Sequence, residues 1–274
     1  MKYLLSIITI NRNNAEGLKR TIESISYQSY KNFEYIVIDG ASTDESREVI
    51  LDNEKNISYW ISEKDNGIYH AMNKGIRACS GDFILFLNSG DFLYDSNVIE
   101  RVIENLSDED DIVYGDVLLR NEKNNWERIQ IHPEELRFSY FYKQTICQQA
   151  CFIKKSLFER IFYYNEEYKI VSDWEFFIYA IYIEHVKTKK INQLISIFDA
   201  TGISGNSSLR PVATAERQKT IDTYFKLYRE DYKELISHGS NRSKQLIEIE
   251  KSKFFRKLVS VFFNVIMLFL PRKK

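Results

Sequence analysis

FEYIVIDGASTD (33–44) is an apolar run rich in β-branched residues that ends in an acid, two small residues and two hydroxyls. A near-continuous apolar run of this length reads as a strand buried on both faces. Gly40 and Ala41 then turn the chain, and Ser42 or Thr43 is placed to cap a helix running to about Leu51. The same grammar holds on either side. LLSIITI (4–10) ends at Asn11-Arg12-Asn13 and leads into helical spacing from about Ala15 to Tyr27, with Leu18, Ile22 and Ile25 on one face. ISYWIS (57–62) is a third strand, Asn66 or Gly67 opens a helix through about Ala78, and DFILFLNSGD (82–91) is a fourth strand with a polar end. Strands alternating with helices in this way predict βαβ units and a parallel sheet covered on both faces.

Past residue 110 the pattern changes. IVYGDVLL (112–119), WERIQI (126–131) and LISIFDA (194–200) predict shorter strands, and a helix is expected near Ser172–Glu184. The expected fold is therefore α/β, with a mixed sheet whose second half completes a cleft. From Pro211 onward the chain is helical in pattern and highly charged, which divides it into a domain over 1–210 and a helical extension over 211–274.

Composition narrows the function. The chain has 274 residues, 38 Lys plus Arg against 39 Asp plus Glu, and a net charge of −1. Such balance lacks the positive field of non-specific nucleic-acid binders, so no nucleic-acid partner is expected. Aromatics reach 14%, which fits a bulky core, an aromatic-lined cleft or a membrane-facing surface. Cys79, Cys147 and Cys151 form no CxxC pair, so neither a disulfide framework nor a zinc ribbon is expected, and a reducing, cytoplasmic compartment fits. The opening MKYLLSIITINRNN lacks a small-residue cleavage site and reads as a strand rather than a signal peptide.

No GxxxxGK[ST] loop, GxGxxG fingerprint, HExxH or GxSxG is present. What stands out is the strand ends: Asn11-Arg12-Asn13, Asp39-Gly40-Ala41-Ser42, Glu63-Lys64-Asp65-Asn66 and Asn88-Ser89-Gly90-Asp91. Ligands of open α/β sheets bind outside these carboxyl ends. Acids there would repel a phosphate unless a divalent cation, Mg²⁺ or Mn²⁺, lies between them. The chemistry suggested is a metal-assisted site for a nucleotide diphosphate.

SIITINRN (6–13), YIVIDGASTD (35–44), ISEKDNGIYHAMNKGI (61–76) and GDFILFLNSGD (81–91), in this order and spacing, resemble the family 2 glycosyltransferases of the GT-A fold. The likeness covers roughly residues 4–205 and is nearest to the bacterial branch that builds exopolysaccharide, capsule and O-antigen units. It implies an inverting transfer of one sugar from a nucleotide-sugar donor to a growing glycan, and the basic-apolar C-terminal segment suggests that this acceptor sits on a lipid carrier. It further implies that Thr9, Asn11 and Arg12 line the nucleotide pocket, and that Asp39 accepts a hydrogen bond from the base in a loop shaped by Ser42. Asp65 would hold the nucleoside, Asn73 and Lys74 would lie along the donor, and Asn88, Ser89 and Asp91 would occupy the metal motif, with Asp91 the metal ligand. Asp173 in VSDWEF resembles the family's general base. Three departures stand out: Asn88 and Gly90 replace aspartates, Gln148-Gln149 replaces a His-Gln pair, and His70 stands where an acid is usual.

Leu258–Leu270 is apolar except for Ser260 and Asn264, and Lys or Arg flank it on both sides. At about 1.5 Å per residue it spans roughly 20 Å, short of the roughly 30 Å hydrocarbon core. The reading is an interfacial helix that seats residues 251–274 on the inner face of the cell membrane, against the alternative of a packed helix or a homodimer contact. Two other functions compete with the transferase. One is a non-catalytic nucleotide-sugar-binding or assembly module of the same fold, suggested by the missing carboxylates at 88 and 90. The other is a sugar-phosphate nucleotidyltransferase, which lacks its Gly-rich basic loop.

Overall fold

The apolar runs become the strands of one nine-stranded sheet, in the order β3-β2-β1-β4-β8-β6-β9-β5 with β7 on β6. These are β1 Leu5–Asn11, β2 Phe33–Asp39, β3 Tyr59–Ser62, β4 Phe83–Phe86, β5 Phe92–Leu93, β6 Ile112–Asn121, β7 Trp126–Gln130, β8 Cys151–Lys154 and β9 Thr188–Asp199. The helices are α1 Ala15–Ser26, α2 Ser46–Asp52, α3 Ile68–Ala78, α4 Val98–Asn105, α5 Phe138–Lys143, α6 Ser156–Arg160, α7 Ser172–Tyr182, α8 Arg210–Tyr224, α9 Asn241–Glu250 and α10 Lys253–Met267. This computed structural model describes residues 3–202, 207–231 and 241–269.

β3, β2, β1 and β4 are mutually parallel. Their register sets Asn11 beside Asp39 and Asp39 beside Ser62, so three strand ends finish in one polar row. Helix α1 buries Leu18, Ile22 and Ile25 on this sheet, each worth roughly 1.5–3 kcal/mol. The Asn14 side chain caps it by accepting from the Gly17 N–H. Helix α3 lies so close that a Cβ on Gly75 would stand 2.5 Å from Ile8 Cγ2, which is why the position is glycine.

The second half is mixed. β8 runs antiparallel to both β4 and β6, β5 antiparallel to β9, and β6 parallel to β9. Pairing Phe92 with Ile197 brings the end of β9 onto the turn that follows β4. Part of the aromatic content packs inside the domain: Phe158 stacks on Phe176 with centroids 4.5 Å apart, and Tyr164 and Phe162 meet Phe176 edge-on. Trp174 belongs there too, 1% exposed with its Nε1 donating to the Phe141 carbonyl.

The chain divides into two compact units, Met1–Thr220 and Ile221–Lys274, with the division inside α8. In the second unit, Ser252 caps α10, which exposes Phe254, Phe255, Leu258, Val261 and Phe262. Among the described residues, no helix is long and apolar enough to cross a membrane. Residues 270–274, with the expected basic flank Arg272, Lys273 and Lys274, lie outside the described residues.

Candidate active site

The polar row at the ends of β1, β2 and β3 is organised around Asp39, which is fully buried. Its Oδ1 accepts from Asn11 Nδ2 at 2.8 Å and Ser42 Oγ at 2.5 Å. Its Oδ2 accepts from Ser42 N at 3.0 Å and Ser62 Oγ at 2.6 Å. A nucleoside base reaches this carboxylate only by displacing one of these donors. Asn13 and Ala41 both have positive φ, 50° and 55°, unusual for residues with a side chain. Asn13 is held there by accepting from Thr43 N at 2.8 Å while its own N–H donates to Ser42. Buried Asn11 Oδ1 is left without a partner.

Asp65 faces this row, with Oδ2 3.1 Å from where a Cβ on Gly40 would stand. Its other oxygen meets Lys74 Nζ at 2.7 Å and His70 Nδ1 at 3.0 Å, and Glu63 joins Lys74 at 2.8 Å. Burial alone would lower the Lys74 ammonium, but Asp65 and Glu63 outweigh it and hold the group above its usual range. His70 therefore stands as a partner of Asp65.

The Asn88–Asp91 turn is set by main-chain bonds from Ser89 N to Ile10 O and from Asp91 N to Asn88 O. Thr21 of α1 pins it by donating to the Asp91 carbonyl at 2.7 Å and accepting from Gly90 N at 3.0 Å. Gly90 has φ 103°, a conformation closed to an aspartate, and a Cβ there would meet Asp199 Oδ2 at 3.5 Å. A carboxylate from the end of β9, that of Asp199, thus stands beside position 90. Asp199 N also donates to Asp91 Oδ1 at 2.9 Å. Asp91 is 4% exposed, and burial pushes its carboxyl up to about 8. The Asp199 carboxylate adds to that rise, which the Asp199 N–H and the Gln149 amide only partly offset. Beside it, buried Asn88 Oδ1 has no partner. Two close carboxylates and an open amide oxygen form a hard-oxygen set that suits Mg²⁺ or Mn²⁺ with substrate oxygens completing the shell. Among the described residues no group of three or more His, Cys, Asp or Glu gathers, so this set does not close a shell alone.

Asp173, in the first turn of α7, keeps part of its surface open, and its Oδ1 accepts from the Tyr69 hydroxyl at 2.9 Å. Burial raises its carboxyl above the usual range, against the Tyr69 bond and the backbone N–H of Trp174. The Cys147 thiol is pushed far up by burial, and Asp91 and Asp173 both add to the effect, so it lies within the field of both acids.

The structure brings together Asn11, Asp39 and Ser42, with Asp65 and Lys74 beside them, and groups Asn88, Ser89 and Asp91 in one turn. Arg12 is exposed next to this row. Other expected residues have different tasks. Thr9 is sealed inside the sheet, donating to the Leu87 carbonyl and accepting from Tyr35. Asn73 is 1% exposed and spends its whole amide on Tyr164 and Glu166, tying α3 to the loop before α7. Two residues were missed. Asp199 ends an apolar strand, the same signal that marked Asp39. Gln149 stood out only as part of a departure from the family pattern.

The mixed sheet flanked by helices has the architecture of the GT-A glycosyltransferases. The sequence model described as "Glycosyl transferase family 2" matches residues 6–162, and the chain belongs to that family. A PGL/p-HBAD biosynthesis glycosyltransferase of Mycobacterium bovis is 30% identical over 209 residues, covering 74% of this chain and 80% of that protein. An uncharacterized glycosyltransferase of Mycobacterium tuberculosis is 35% identical over 205 residues, covering 74% and 77%. Among solved structures, Staphylococcus aureus TarS 1–349 in complex with UDP aligns with TM-score 0.58 at 16% identity, over 71% of this chain and 60% of that one. The mannosyltransferase PcManGT from Pyrobaculum calidifontis, in complex with GDP-Man and Mn²⁺, aligns with TM-score 0.59 at 13% identity, over 95% and 84%. The protein is a glycosyltransferase.

Proposed function

We propose that the protein transfers one sugar from a nucleotide-diphosphate donor, with inversion, to a hydroxyl of a lipid-linked surface-polysaccharide acceptor. The observation that carries this reading is the pairing of Asp91 with Asp199 in the turn after β4, in the same cleft half as Asp173. The nucleoside lies on the row of Asn11, Asp39, Ser42 and Asp65. Asn88, Asp91 and Asp199 are the residues that would hold Mg²⁺ or Mn²⁺, which when bound supplies electrostatic stabilisation to the diphosphate leaving group. Asp173 removes the acceptor hydroxyl proton as that oxygen bonds to the anomeric carbon and the bond to the diphosphate breaks on the opposite face. Tyr69 orients the carboxylate for this step. The exposed apolar face of α10, with Lys253, Arg256 and Lys257 among its residues, supports seating on an anionic membrane surface.

Nucleotide release across UDP-, GDP- and dTDP-sugars, with and without Mn²⁺, tests the reading. One donor turned over by wild type and by neither Asp91→Ala nor Asp173→Asn is expected. Turnover that survives both substitutions refutes the assignment, and absence of any nucleotide binding by calorimetry favours the assembly module. Deleting residues 252–274 is expected to move the protein from liposome-bound to free, and unchanged partition refutes the membrane part.

A further inference from the structure

Helix α8 begins well past the stretch that the family model matches, yet its side chains converge on the segment that presents Asp173. That segment has no local means of fixing its own end. Val171 stands at the N-cap of α7, where an apolar side chain can accept no bond, and no side chain of the cap closes the helix. The N–H groups of Lys169, Ile170 and Val171 point instead at one carboxylate. Glu216 of α8 accepts from Lys169 at 2.7 Å through one oxygen, and from Ile170 at 3.0 Å and Val171 at 3.2 Å through the other. Three successive main-chain donors on one anion form a nest, and each of its bonds is charge-assisted.

The same helix grips the first turn of α7 directly. Thr220 Oγ1 donates to Glu175 Oε1 at 3.1 Å and meets the Tyr168 hydroxyl at 3.0 Å. Arg217 lies over the Trp174 ring, with Cζ 5.1 Å from its centroid. From α3, Asn73 holds Tyr164 and Glu166 of the same segment, and the Tyr69 hydroxyl reaches Asp173 Oδ1 at 2.9 Å. The division of labour is plain. Tyr69 fixes one oxygen of the carboxylate, and Glu216 fixes the backbone that carries it, two residues upstream.

We propose that Glu216 is a positioning residue for sugar transfer: by gathering the N–H groups of residues 169–171 it sets the entry of α7, and with it the place of Asp173. The stretch of α8 up to Thr220 is then a working part of the transferase. This rests on Asp173 being the base, and the test separates the two claims. A base displaced by about 1 Å from the atom it serves costs on the order of a hundredfold in rate. The bonds that hold Asp39 and Asp65 come from other elements, so the nucleoside contacts are expected to survive the loss of Glu216.

Calorimetry counts the sites that bind nucleotide, and nucleotide release then gives kcat per site and donor KM. Glu216→Ala is expected to bind nucleotide with wild-type stoichiometry, to keep donor KM within about twofold, and to lose roughly ten- to a hundredfold in kcat per site. Glu216→Gln, which keeps the stem and one accepting oxygen, is expected to fall between, and it serves in place of an alanine variant that does not fold. A kcat per site within about twofold of wild type in a folded variant overturns the role of Glu216, even where Asp173→Asn abolishes turnover. A loss of kcat matched by an equal loss of binding sites assigns Glu216 to folding alone and overturns it too. Turnover that survives Asp173→Asn overturns Asp173 as the base, and the positioning role of Glu216 with it.

Discussion

Asp39 and Asp91 are both buried carboxylates at the carboxyl end of the sheet, and they are opposite in kind. Asp39 has four donors on its two oxygens, drawn from the ends of β1 and β3 and the loop after β2. Asp91 accepts from the Asp199 and Asn88 backbone N–H groups and the Gln149 amide but has a second carboxylate for a neighbour, so burial leaves it short of compensation. The half of the cluster around Asp39 is finished by the fold, while the half around Asp91 is left electrostatically open. A closed network shapes a pocket; an open one waits for a cation.

The sharpest way to break this comparison is to neutralise each acid in turn. Asp91→Asn is expected to lower kcat by about a hundredfold or more in a nucleotide-release assay. Asp39→Asn is expected to cost about 2–4 kcal/mol in urea unfolding, because an amide NH₂ would face donors that now point at an anion. If Asp39→Asn were neutral, the network would not be the closed one its geometry describes. The third expectation runs the other way. Asp91 keeps its proton in the folded chain up to about pH 8, whereas an unfolded aspartate releases it near pH 4. Between those values the folded state carries the extra proton, so this group makes stability fall as pH rises. Without divalent cation, Asp91→Asn should melt roughly 5 °C above wild type at pH 8, and the two should converge near pH 4. Millimolar Mn²⁺ should raise the melting temperature of wild type and leave the variant unmoved. The smallest effect is Ser62→Ala, which removes one of four donors and should cost about 1 kcal/mol in the same unfolding measurement.

Legibility in the sequence follows the same divide. β1, β2, α1 and α3 were readable because each carries a long apolar run or a 3.6-residue stripe ending in a turn residue. The polar row came with them, since parallel strands of matched length finish side by side. β8 was not read: CFIK is four residues long, and its place between β4 and β6 is decided by pairing across the chain. The Asp91–Asp199 contact was hidden for that reason too. Asn73 sits in a motif that suggested ligand contact, yet its neighbours come from the 164–166 loop, which no local pattern announces.

The two halves also differ in when they can exist. The bonds around Asp39 join residues at most 28 positions apart along the chain, whereas Asp91 meets Asp199 across 108 and Tyr69 meets Asp173 across 104. At about 5–20 residues per second, a ribosome makes that longer stretch in roughly 5–20 s. A nascent chain can therefore close the row around Asp39 early, while Asp91 waits for its partner until β9 has been made. A polypeptide whose synthesis stopped before β9 would hold the finished Asp39 row and a lone Asp91.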